Sequence, residues 1–231
     1  PEVTRDSSLS WKGLVEVFYS PSTLFEKIKQ QPRVLVPYVV FVLLMFATMW
    51  LIKDLLVDAV LSNPEIAARM EAQGQAVTPQ MRGFIAISQA IQGTLMMALA
   101  PLLAALLGIF WGNFVMAGEA RFKQVLSVML YGEIIYAVGG LLMTPLMLAK
   151  DSIFVGLSLG VLAPEKSLTS PLFMLLSKID LFIIWELIVI GIGLSILYGF
   201  LRNKGFLLAV LSMGLLSILN VLWTFASSLI F

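Results

Sequence analysis

Histidine and cysteine are both absent from the 231 residues. Without them a zinc site built on imidazole or thiolate has no ligands. Neither a Ser–His nor a Cys–His nucleophile pair can be assembled. Disulfides are excluded too, so cysteine usage carries no message about redox compartment. No glycine-rich phosphate loop of the G-x-x-x-x-G-K-[ST] form occurs in the chain. Charge is equally scarce: 13% of residues are charged, against about a quarter in an ordinary soluble domain. The net charge is +1, and no dense Lys/Arg stripe is present to neutralise phosphates, which argues against a nucleic-acid partner. These absences predict a protein that is not an enzyme and that carries no cofactor and no metal.

What fills the chain is hydrocarbon. Hydrophobic residues make up 59%, and the mean hydropathy is +0.96. The expected fold class is therefore an all-α membrane protein, with five transmembrane helices and an N-terminal amphipathic interfacial helical segment. Residues 1–33 form the juxtamembrane segment and 34–231 the transmembrane domain. Its spans are expected at about 34–54, 90–114, 125–148, 180–201 and 205–230. The first 33 residues are too polar for a cleavable leader, so the first apolar block is expected to stay in the membrane. The polar stretch between the first two spans holds Asn63-Pro64 and Thr78-Pro79 as breaks. The moderately apolar stretch 151–171 is expected to lie in the interface or to re-enter slightly.

The juxtamembrane segment has its own pattern. Trp11, Leu14, Val15 and Phe18 recur at helical spacing. Ser20 and Pro21 are a cap and first-turn proline for a second helix, on which Leu24, Phe25 and Ile28 form a stripe. Lys27, Lys29 and Arg33 add positive charge just before the first span. Two uses are open: a collar lying in the headgroup layer, or a docking surface made by Trp11, Phe18, Pro21, Phe25, Lys27 and Lys29. Lysine and arginine placement sets orientation. Arg5, Lys12, Lys27, Lys29, Arg33, Arg121, Lys123, Arg202 and Lys204 fall on one side in short connections. The other side has Lys53, Arg69, Arg82, Lys150, Lys166 and Lys178 in longer loops. The N-terminus is expected in the cytoplasm and the C-terminus outside it.

Inside the spans, Glu133 and Glu186 are acidic groups at a depth that by default suggests function. They either hydrogen-bond neighbouring helices as neutral carboxyls or relay protons or cations. Asn220, Thr224 and Ser228 make a polar stripe on the last span, suited to interhelical hydrogen bonds or to a solute path. Small residues repeat every fourth position, as Ala104, Gly108 and Gly112 and as Gly191, Ser195 and Gly199. Such stripes let helices pack closely, within the chain or between copies.

Three stretches carry a resemblance: "FYSPSTLFEKIKQQP" (Phe18 to Pro32), "GEARFKQVLSVMLYGEIIY" (Gly118 to Tyr136) and "DLFIIWELIVIGIGLSILYGFLRNKGFLLAVLS" (Asp180 to Ser212). In this order, with five spans, the chain resembles the prokaryotic branch of the Ypt-interacting-protein (Yip) membrane family. The resemblance implies a cytosolic N-terminus and a five-span bundle. It also implies protein partners, since eukaryotic members are tied to Rab-type GTPases and vesicle traffic, and some bacterial members to ABC-type exporters. The expected function is a non-enzymatic membrane adapter or assembly factor. Its partners would be the lipid bilayer and another membrane protein, an ABC-type exporter among the candidates, or a second copy of itself. A small proton- or ion-linked transporter or channel using Glu133 and Glu186 is the alternative.

Overall fold

A computed structural model describes residues 8–62, 77–163 and 170–215, together with positions 68 and 72. Among them the chain is helical, and its sole β feature is an isolated bridge between Ser158 and Asp180. The two short N-terminal helices form as expected. Helix α1 spans Ser8–Tyr19 and α2 spans Pro21–Gln30. Pro21 takes the first turn of α2, where its missing N–H costs no hydrogen bond.

This hairpin is bolted onto the bundle. Leu24, Phe25 and Ile28 of α2 are fully buried. On α1 the inward face is Ser10, Gly13, Glu16 and Val17, with Leu14 and Phe18 half-buried at its edge. Gly13 sets this rotation, because a Cβ there would stand 2.8 Å from the ring of Tyr131. The Tyr131 hydroxyl donates to the Ser10 carbonyl at 3.2 Å. Trp11 and Val15 consequently point away from the protein. Lys27 meets Glu16 at 2.7 Å and ties the two helices together.

Helix α3 (Leu35–Leu51) is shorter than its expected span, for at Ile52 the chain bends by 59° into α4 (Lys53–Leu61). Helix α5 (Pro79–Ile109) is longer than its expected span and starts where Thr78 accepts from the Met81 N–H. It keeps Pro101 inside and ends in a π-helical turn over Phe110–Val115. Helix α6 (Phe122–Ala149) is the axis of the bundle, with α1, α2, α3, α5 and the next span all against it. After α6 comes a 3₁₀ turn at Leu159–Leu162, then the short α7 (Pro171–Ser177). Helix α8 (Leu181–Tyr198) follows, and then α9 (Arg202–Ala209), which runs on into a π-helical turn at Val210–Gly214.

Three of these helices are long and apolar enough to cross a membrane, and four if the bent α3–α4 pair is one span. The fifth expected span begins in α9, and its remaining residues, 216–231, lie outside the described residues. The protein is thus an all-helical membrane protein.

Helix α8 is closed at both ends by side-chain and backbone chemistry. Asp180 accepts from the N–H groups of Phe182 and Ile183 at 2.8 and 3.3 Å, satisfying donors that a helix start leaves free. Gly199 ends the helix in the left-handed region, with φ +68°. The Phe200 N–H then reaches the Ser195 carbonyl at 2.9 Å, the closure that glycine permits at low cost. Gly199 was expected on a packing stripe, but nothing lies within 4 Å of where its Cβ would be. Its job is termination. Gly205 does the packing, since its Cβ would meet the Gly191 carbonyl oxygen at 2.5 Å.

Gly205→Ala should therefore lower the thermal unfolding midpoint in detergent, by overpacking worth about 1–3 kcal/mol. Gly83→Ala, at an exposed helical position with nothing within 4 Å, should leave it level or raised. Equal midpoints for the two variants would contradict the close α8–α9 approach.

Candidate functional site

Glu133 lies in the middle of α6, eleven residues past Phe122, or about 16 Å along the axis at 1.5 Å per residue. Glu186 lies five residues past Leu181 on the antiparallel α8. Glycines bring them together. Gly132, beside Glu133, leaves room for Ile190, and one heptad later Gly139 leaves room for Phe182. Further along the seam, a Cβ on Gly193 would meet Val128 at 2.5 Å and Phe25 at 3.0 Å. A helix pair that approaches this closely carries its polar groups into contact.

The result is a carboxyl pair. Glu133 is 6% exposed and Glu186 3%, and the two carboxyls lie close together on the wall of one cavity. The Oε1 oxygen of Glu186 has no hydrogen-bond partner. A buried acceptor without a donor carries an uncompensated desolvation cost of about 1–3 kcal/mol.

The pair opens on a cavity of about 340 Å³. Its walls are mostly apolar: Met97, Ala100 and Ala104 from α5, Leu175 near the rim, and Val210 and Met213 from the last described turn. Tyr136, one turn beyond Glu133, and Lys178, just after α7, add the other polar groups. Apolar surroundings lower the pKa of Lys178 from its ordinary value. A second cavity of about 260 Å³ lies beyond Tyr136 and Ile183, which line both, and reaches Thr48, Ser177 and Asp180. The 151–163 connection supplies Ile153, Phe154 and Val155 to its wall.

The other candidate residues fall in different places. Ala104 is a cavity wall. Gly108 and Gly112 pack, against Val125 and Tyr198 respectively. Gly191 receives Phe206, and Ser195 lies buried opposite Gly205. Asn220 and Thr224 lie outside the described residues. Of the proposed docking set, Phe25 belongs to the core at 1% exposure because α2 packs on α8. Phe18 is half-buried, edge-on to Trp185 at 5.6 Å. Pro21 is half-buried at the head of α2. Lys27 is paired with Glu16, and Lys29 donates to the Ile196 carbonyl at 2.9 Å. Trp11 is the apolar member that stays outside, 62% exposed. Among the described residues no three side chains are grouped to hold a metal.

Sequence reasoning missed Tyr136 and the Gly132, Gly139, Gly193 seam. A signal existed: Tyr136 stands three residues from Glu133, on one helix face, and Gly132 and Gly139 are seven apart.

The model of the Yip1 domain matches residues 15–224. The chain belongs to the Yip1 family. It is also 26% identical over 215 residues to the membrane protein YknW of Bacillus subtilis (strain 168), covering 90% of this chain and 88% of that one. No solved structure matches it. The resemblance carried by the Phe18, Gly118 and Asp180 stretches thus names the right family.

If the carboxyls touch, their contributions are not independent. A double-mutant cycle of Glu133→Ala and Glu186→Ala, read by unfolding in detergent, should show coupling of about 0.5–2 kcal/mol. Strict additivity would place them apart.

Proposed function

We propose that this Yip1-family protein is a non-enzymatic adapter or assembly factor that binds another integral membrane protein. The observation that carries the reading is the outer edge of α1. Trp11, Val15 and Tyr19, at i, i+4 and i+8, are 62, 63 and 74% exposed, while the opposite face of the same helix is locked into the core. An edge held this rigidly loses little conformational freedom when a partner covers it, and Trp and Tyr are the residues that most often anchor interfaces. Lysines and arginines support an N-terminus in the cytoplasm of a bacterial inner membrane. Lys29 bonds the end of α8, and the Arg33 N–H and carbonyl bond Ser127 near the start of α6, so this charge gathers with Arg121, Lys123 and Arg202 at one end of the bundle. An ABC-type exporter fits as the partner, through the family likeness.

Removing the hairpin would strip Val17, Phe25 and Ile28 from the core and uncover Tyr131, against which α1 packs, so surface substitutions are the cleaner test. Trp11→Ala combined with Tyr19→Ser in the full chain should leave the unfolding midpoint unchanged. It should also reduce recovery of the co-purifying membrane protein from native membranes at least tenfold. Undiminished recovery would remove α1 from the interface.

The carboxyl contact favours a second reading, a small proton- or ion-linked transporter. It expects ion-dependent flux in liposomes that Glu133→Gln abolishes. Flux no greater than in empty liposomes would overturn it.

A further inference from the structure

The cavity beside the carboxyl pair has three properties that together select a ligand. Beside it stands an acceptor without a donor, the Oε1 of Glu186, on a side chain that is 3% exposed. That oxygen belongs to a residue lining the cavity, next to a second carboxyl group. The remaining wall is largely apolar, with Met97, Ala100, Leu175, Leu187 and Met213 around it.

A dehydrated metal ion fits this poorly. Calcium takes six to eight oxygens and magnesium a near-octahedral set, whereas the described lining offers two carboxyl groups and the Tyr136 hydroxyl. An anion would meet Glu186 head-on. A neutral apolar molecule would fill the space and leave Oε1 still without a donor, at undiminished cost. A quaternary ammonium has charge but no N–H to give. A primary ammonium has three N–H donors, enough to serve both carboxyl groups, and an alkyl chain attached to it would face the methionine and leucine walls. The volume of about 340 Å³ lies within the range of small-molecule sites.

We propose that this cavity is a binding site for a primary alkylammonium, its nitrogen held between Glu133 and Glu186 and its chain between α5 and the Val210–Gly214 turn. The site stands independently of the adapter reading, because it uses none of the α1 edge. Lys178 is the one cation in the described lining, and it sits eight residues before Glu186, beyond the Asp180 cap that starts α8. A primary amine on a flexible stem at the same cavity, it would act as an internal competitor for the carboxyls.

The test is the unfolding midpoint of the full chain in detergent, with n-hexylamine, n-hexanol and hexyltrimethylammonium at matched concentrations. A ligand that binds only the folded state raises the midpoint in a concentration-dependent way. Hexylamine should raise it, and the other two should raise it markedly less. Glu186→Gln should abolish the hexylamine shift. Ala100→Phe, which fills the cavity without touching the carboxyls, should abolish it as well and serves if Glu186→Gln does not fold. Lys178→Met should enlarge the shift by removing the competitor. An equal shift with hexanol, a neutral molecule with a single O–H donor, would mean that the site does not select the ammonium charge and would overturn the proposal. So would an equal shift with hexyltrimethylammonium, a shift that survives Ala100→Phe, or no hexylamine shift at all.

Discussion

Ile190 and Phe182 occupy the space that side chains on Gly132 and Gly139 would need. That substitution of neighbour for self is what the bundle turns on. In a bilayer no hydrophobic force drives helices together, because lipid is as apolar as leucine; close packing and interhelical hydrogen bonds must do it. Glycine on α6 gives α8 its approach, and the approach gives the carboxyls their contact. The Phe25 ring reaches the same seam at Gly193, so the N-terminal hairpin rests on it too.

The seam explains why the juxtamembrane segment has one buried face and one exposed edge. One face of α1–α2 contributes core residues, and the backbone is stitched down by Gln124 to the Lys29 carbonyl at 2.7 Å and by Ser127 to the Arg33 carbonyl at 2.6 Å. A helix pinned in this way has no freedom to rotate. Its remaining apolar edge is therefore presented in a fixed orientation, to headgroups or to a protein. Interfacial aromatics suit both settings.

The polar interior follows from the same geometry. Carboxyl groups in hydrocarbon persist where they meet each other or line a cavity, and here they do both. Two cavities share Tyr136 and Ile183 as a wall. The shorter α3 and the 59° bend at Ile52 open the second cavity, since Met49 and Ile52 line it where the first span ends.

Much of this protein was legible in its sequence. Hydropathy marked a helical membrane protein, because a membrane tolerates long apolar runs and little else. Pro21 marked a helix start, because a proline fits the first turn of a helix and acts only on its neighbours; Ser20 precedes it without a capping bond, its hydroxyl donating to Thr23 instead. The Phe18, Gly118 and Asp180 stretches pointed to the Yip family. Local signals failed where the cause is distant. Gly199 and Gly191 look alike in a four-residue stripe, yet one ends a helix and the other receives Phe206 from the next. Phe25 reads as surface until α8 covers it. Glu133 and Glu186 stand 53 positions apart in the chain, and no spacing rule relates residues on different helices. That they face each other, with one oxygen left without a donor, was decided by how closely α6 and α8 could pack.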